Sequence, residues 1–79
     1  MSKNLTLGKK IHILRTVQGI KRDKFAGLVG VSPVTVSMWE NDRSVPRDGN
    51  LERIKAILNW PSDDQAEVAF GILAGDGTQ

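Results

Sequence analysis

Nine of the eleven Lys and Arg residues fall in the first 47 positions (Lys3, Lys9, Lys10, Arg15, Lys21, Arg22, Lys24, Arg43 and Arg47), where only Asp23, Glu40 and Asp42 oppose them. Cations at that density suit one kind of chemistry, the neutralisation of a row of phosphates, which releases condensed counterions. The segment carries a net +6, whereas residues 48–79, with two bases against six acids, carry −4. Taken alone, this asymmetry could also be an unevenly charged solvated surface. Other reactive types are scarce. There is no Cys and a single His, His12, so thiolate chemistry, a disulfide framework and an ordinary zinc site are excluded. With no triad, no phosphate-cradling glycine loop and no metal cluster, no catalytic, metal, cofactor or small-molecule residues are assigned, and an enzyme is not expected.

The cations flank a stretch with its own signature. Residues 22–41 read as a helix over Arg22 to Val29, a turn at Gly30, and a second helix from Pro33 to about Asn41, the layout of a helix-turn-helix. Phe25, Ala26 and Val29 from the first helix and Val31, Val36 and Trp39 from the second supply the buried faces, with Ala26 small where the helices approach. Gly30 sits where the chain reverses and a positive φ favours a residue without Cβ. Ser32 caps the second helix, and Pro33 takes its first position, where a missing N–H costs nothing. Lys21 is a poor cap for the first helix. With Val36 and Trp39 turned inward, helical spacing leaves Pro33, Val34, Ser37 and Met38 on the outer face and Thr35 beside it. No Arg, Lys, Asn or Gln occupies the front of this helix. Bidentate reading of guanine or adenine is therefore not expected, and apolar contact with thymine methyl groups becomes the main available readout. Val34 is the leading base contact, the plain alternative being an exposed valine without a role. Met38 can serve as a base contact or fill a gap in the core. Ser37 discriminates weakly.

From Leu7 to Leu58, about two-thirds of the chain, the sequence resembles the lambda-type repressor and Cro helix-turn-helix family. Leu7, Gly8, Ile11, Arg15, Gly19, Ile20, Ala26, Gly30, Val31, Ser32, Ser37, Glu40 and Pro46 stand in matching places. The run from Gly30 to Glu40 is similar to recognition helices of lambdoid phage repressors. The resemblance implies a compact all-α, five-helix DNA-binding domain that reads double-stranded operator DNA and regulates transcription. It implies a structural ion pair between Arg15 and Glu40, phosphate contacts from the start of helix 2 (Lys21, Arg22), from Ser32, and from the following loop (Asn41, Arg43, Arg47), and thymine-methyl packing at Val34. The chain departs from the family at position 22, commonly Gln, and at Asp42, where Gly is usual; Asp can still adopt a left-handed conformation there.

The remaining elements must position that motif. Helix 1 is predicted from about Thr6 to Val17, ended by Gly19, with Leu7, Ile11 and Leu14 inward and Ile13 and Val17 widening the stripe. Helix 4 is predicted from Leu51 to Leu58 with Asn50 as cap, burying Leu51, Ile54, Ile57 and Leu58. After Asn59-Trp60-Pro61, the box Ser62-Asp63-Asp64-Gln65 opens a fifth helix that ends by Gly75. Its apolar residues form two stripes, Ala66, Ala69, Phe70 and Leu73, and Val68 and Ile72. Either the core absorbs both, or the second meets another copy. Residues 62–75 are thus a possible dimerisation helix, with Trp60, Val68, Phe70 and Ile72 as interface candidates. A homodimer would set two reading helices about 34 Å apart on an approximate palindrome.

Seventy-nine residues make one domain, 1–79, near the lower limit for a core without staples. No run approaches the ~18 apolar residues of a membrane helix, and the polar start is no secretory signal, so a cytoplasmic protein is expected. The leading expectation is a small Cro-like repressor. A restriction-modification controller, or an antitoxin whose helix 5 docks a different protein, would look similar. RNA binding is weaker, since no stacking platform is visible.

Overall fold

The computed structural model describes residues 5–61, which form four α-helices, α1 (Leu7–Val17), α2 (Arg22–Val29), α3 (Pro33–Glu40) and α4 (Asp48–Leu58). The fifth helix expected from Ser62 onward, with Val68, Phe70 and Ile72, lies outside the described residues.

α1 begins at Thr6, whose hydroxyl accepts a hydrogen bond from the Lys9 amide at 3.1 Å, satisfying one of the donors that every helix start leaves open. Its spacing buries Gly8, Ile11, Leu14 and Arg15. Val17, expected to widen the inner stripe, is instead 56% exposed. It occupies the last turn, where the chain leaves the core through Gln18 and a left-handed Gly19.

α2 and α3 follow the sequence expectation closely. Phe25, Ala26 and Val29 face Val36 and Trp39, and these five side chains, with Ile11, Leu14, Ile54 and Leu58, make the core. Val31 is only half-buried at its rim. Gly30 turns the chain at φ 94°, and its amide and that of Val31 both donate to the Ala26 carbonyl, at 2.8 and 3.0 Å. This closes α2 while redirecting the backbone into α3. Ser32 then accepts from the Thr35 amide at 3.2 Å, with Pro33 at the first position of the helix.

α4 starts three residues earlier than expected. The cap is Arg47 rather than Asn50, and the Leu51 amide donates to the Arg47 carbonyl at 2.8 Å. Asp48 in the first turn favours this start, because its charge complements the positive end of the helix dipole. Ile54 and Leu58 are buried as expected, but Leu51 and Ile57 are half-buried at the edge. The helix ends at Asn59, at φ 53°.

Two side chains fasten α4 to the motif. Arg53 donates to the Val29 carbonyl at 3.1 Å, satisfying the open end of α2, and Gln18 donates to the Leu58 carbonyl at 2.8 Å. Gly8 sets the closest approach of α1 to α3: a Cβ there would collide with the Trp39 carbonyl oxygen and lie 2.8 Å from an Asp42 carboxylate oxygen. Only a residue without a side chain fits.

Candidate nucleic-acid interface

The outer surface of α3 is the one the packing leaves free. Val34 is 68% exposed, Pro33 is exposed, and Met38 is 39% exposed, outside the core that its flexibility could have filled. Thr35 and Ser37 are half-buried beside them. Their hydroxyls are already engaged locally, Thr35 Oγ1 with Ser32 Oγ at 3.0 Å and Ser37 Oγ with the Asn41 amide at 3.3 Å. The outward face therefore offers mainly methyl and methylene surface, and a protruding valine leads it.

Cations frame that face on both sides. Lys21, Arg22 and Lys24 are exposed around the start of α2, and Lys21 makes no side-chain capping bond, so the first backbone N–H groups of α2 stay available to an anion. On the other side, Arg43 and Arg47 project from the loop after α3. That loop wraps the end of the helix: the Arg43 amide donates to the Met38 carbonyl at 2.8 Å, and Asp42 adopts a left-handed φ of 62°. Asn41 and Ser32 behave differently from these five cations. Asn41 turns its amide back to the Ser37 carbonyl at 2.8 Å, and the Ser32 hydroxyl serves as the α3 cap.

Beneath the interface, Glu40 holds α3 to α1. Arg15 donates from Nε to Oε2 at 2.7 Å and from Nη2 to Oε1 at 3.1 Å, and from Nη1 to the Ile20 carbonyl at 2.8 Å. One guanidinium thus joins α1, the end of α3 and the loop leading to α2. The expected Arg15–Glu40 pair is present, with both side chains at least nine-tenths buried. Two further groups reach the same carboxylate. His12 Nδ1 lies 3.2 Å from Oε1 and Arg22 Nη2 lies 3.8 Å from it. Burial pushes the Glu40 carboxyl up, but the hydrogen bonds from Arg15 and His12, reinforced by their charges, outweigh it and hold the group below its ordinary value of 4.5. Among the described residues no buried side-chain polar atom lacks a partner.

The arrangement, two short helices about a left-handed glycine with an exposed apolar face on the second between clusters of cations, is that of a helix-turn-helix domain. Residues 11–64 match a helix-turn-helix family model, and the chain belongs to the lambda repressor/Cro-like helix-turn-helix family, a family of DNA-binding transcription regulators. Comparison with curated proteins and with solved structures gave no match. Among the described residues, no helix is long and apolar enough to cross a membrane.

Proposed function

We propose that this chain is a Cro-like repressor that occupies a palindromic operator as a homodimer. The protruding Val34 on an α3 face without amide or guanidinium groups carries the reading, because such a face reads sequence through thymine methyls. Val34 leads the base contacts, with Pro33, Thr35, Met38 and, weakly, Ser37 around it. Lys21, Arg22, Arg43 and Arg47 contact phosphates, and Ser32 and Asn41 join them through groups left over from their local bonds. Two copies meet through Trp60, half-buried at the end of the described chain, and through Val68, Phe70 and Ile72. Repression follows from occupancy, since a bound dimer blocks polymerase.

The two kinds of contact separate by experiment. Val34→Ala should weaken binding to the cognate duplex by roughly fivefold to tenfold while leaving random DNA little changed, since the lost methyl contacts depend on sequence. Arg43→Ala should weaken both equally and flatten the salt dependence by about one charge. Equal losses on both duplexes for Val34→Ala would remove it from the base contacts, and an unchanged salt slope would remove Arg43 from the phosphate contacts. Fluorescence titrations at several salt concentrations supply both readouts.

A further inference from the structure

His12 is the only histidine of the chain, and one nitrogen of its ring sits between two opposite demands. Nδ1 lies 3.2 Å from Glu40 Oε1, which can only accept a hydrogen bond, and 3.4 Å from Arg15 Nη2, which can only donate one. The other nitrogen, Nε2, has no hydrogen-bond partner among the described residues, and the side chain is 48% exposed. Each neutral form of the ring leaves one edge mismatched. With its proton on Nδ1 the ring donates to Glu40 but turns a bare lone pair outward. With the proton on Nε2, Arg15 can donate to Nδ1, but a lone pair then faces the carboxylate. Only the imidazolium has an N–H on both edges, one for Glu40 and one for an oxyanion outside.

The outer edge of the ring stands within the frame of cations around α3. One turn before His12 on the same face of α1, Gly8 lies against the Asp42 carboxylate, which belongs to the loop that carries Arg43 and Arg47. From the α2 side, the exposed Arg22 guanidinium comes to 3.8 Å from the same Glu40 oxygen, too far to bond but near enough to place it beside the ring. The charged groups around His12 are thus Arg15 on its own helix, Glu40 on α3 and Arg22 on α2, with Lys9 and Asp42 one turn away.

We propose that His12 is a proton-gated phosphate contact: DNA binding takes up a proton at this residue, whose imidazolium donates from Nδ1 to Glu40 and from Nε2 to a DNA phosphate. The proposal rests on the DNA-binding reading above. Imidazole is the side chain that gains its charge between about pH 5 and pH 8. Glu40, held below its ordinary value of 4.5, stays ionised across that range and keeps the inner edge of the ring in place. Phosphate and proton favour the same form of the ring, so each raises the affinity for the other, and DNA binding strengthens as pH falls.

The test uses the intact chain beside His12→Gln and His12→Lys, each titrated with a random-sequence duplex at about pH 6 and about pH 8 and at several salt concentrations. Random DNA suffices because a phosphate contact carries no sequence information. The unaltered chain should bind roughly fivefold more tightly at the lower pH, with a salt slope steeper by up to about one charge. Calorimetry in two buffers of different ionisation enthalpy should show net proton uptake on binding. His12→Gln, which cannot take the charge, should bind at either pH as the unaltered chain does at the higher one, and take up no proton. His12→Lys should show the steeper slope at both. A pH dependence that survives in His12→Gln would assign the proton to another group and overturn the proposal. So would a pH dependence of the unaltered chain that follows its thermal stability without DNA, since the residue would then act on the fold alone. If the unaltered chain binds no duplex at either pH, the DNA-binding reading falls and this proposal with it. Should it bind equally at both with no proton uptake, only the role of His12 falls.

Discussion

Arg15→Met should destabilise the chain by about 3–5 kcal/mol, the usual cost of leaving a buried charge without its partner. Glu40 is buried, its strongest bond is the 2.7 Å contact from Arg15 Nε, and the half-exposed His12 cannot replace a two-pronged guanidinium. For a domain expected to be only marginally stable, that is a large share of the total. Removing the charge as well should restore much of the loss, so Arg15→Met combined with Glu40→Met should be more stable than Arg15→Met alone. Acid denaturation gives an independent readout. The folded carboxyl lies below its unfolded value, so the stabilisation it confers is full above about pH 4.5 and is lost as pH falls through the folded value. In Arg15→Met the opposing effect of burial loses its main counterweight. The stability gap between the two proteins should then narrow below about pH 4.5. A constant gap between pH 7 and pH 3, or a double variant no better than Arg15→Met, would contradict the account of Glu40 as the electrostatic centre of the fold.

Gly8→Ala should be nearly as damaging, though it adds only one methyl group. The obstacle is the Trp39 backbone carbonyl at the end of α3, which cannot rotate aside as a side chain can. α1 and α3 must separate, and overpacking of this kind costs about 1–3 kcal/mol or more. A fall in Tm of about 10 °C or more is expected, since each kcal/mol corresponds to about 4–8 °C in a domain of this size. Gly27→Ala is the matched control. Nothing lies within 4 Å of a Cβ at that exposed helical position, so alanine should raise stability by about 0.5–1 kcal/mol. Equal effects of the two substitutions in thermal unfolding would mean that α1 and α3 do not approach as closely as described.

What could be read from the sequence was local. The left-handed turn at Gly30, the Ser32-Pro33 start of α3 and the uncapped Lys21 all follow from a few neighbouring residues, and the structure has each of them, whereas the left-handed Asp42 was suggested only by the glycine usual at that place in the family. The inward and outward faces of α2 and α3 followed equally well, because a 3.6-residue period places Val36 and Trp39 opposite Val34. The family resemblance supplied the Arg15–Glu40 pair. The missed features are contacts across long sequence separations made by flexible polar side chains. Arg53 on Val29, Gln18 on Leu58, and His12 and Arg22 on Glu40 leave no periodic or spacing signal. The start of α4 was misplaced for a different reason. Asn50 is the better cap by type, but Asp48 and the Arg47 carbonyl let the helix begin a turn earlier. Val17 looked inward by period alone, and the end of the helix left it beyond the core.

Selection of binding sites from a randomised duplex library tests the central claim most directly, at near-physiological salt with excess non-specific competitor. An operator-binding dimer that reads through Val34 should enrich an inverted repeat with thymines at the positions facing that residue, its half-sites about one DNA turn, or about 34 Å, apart. If no sequence is enriched while weak, salt-sensitive binding persists, the chain does not read sequence through α3, and the account of this protein as an operator-binding repressor is wrong.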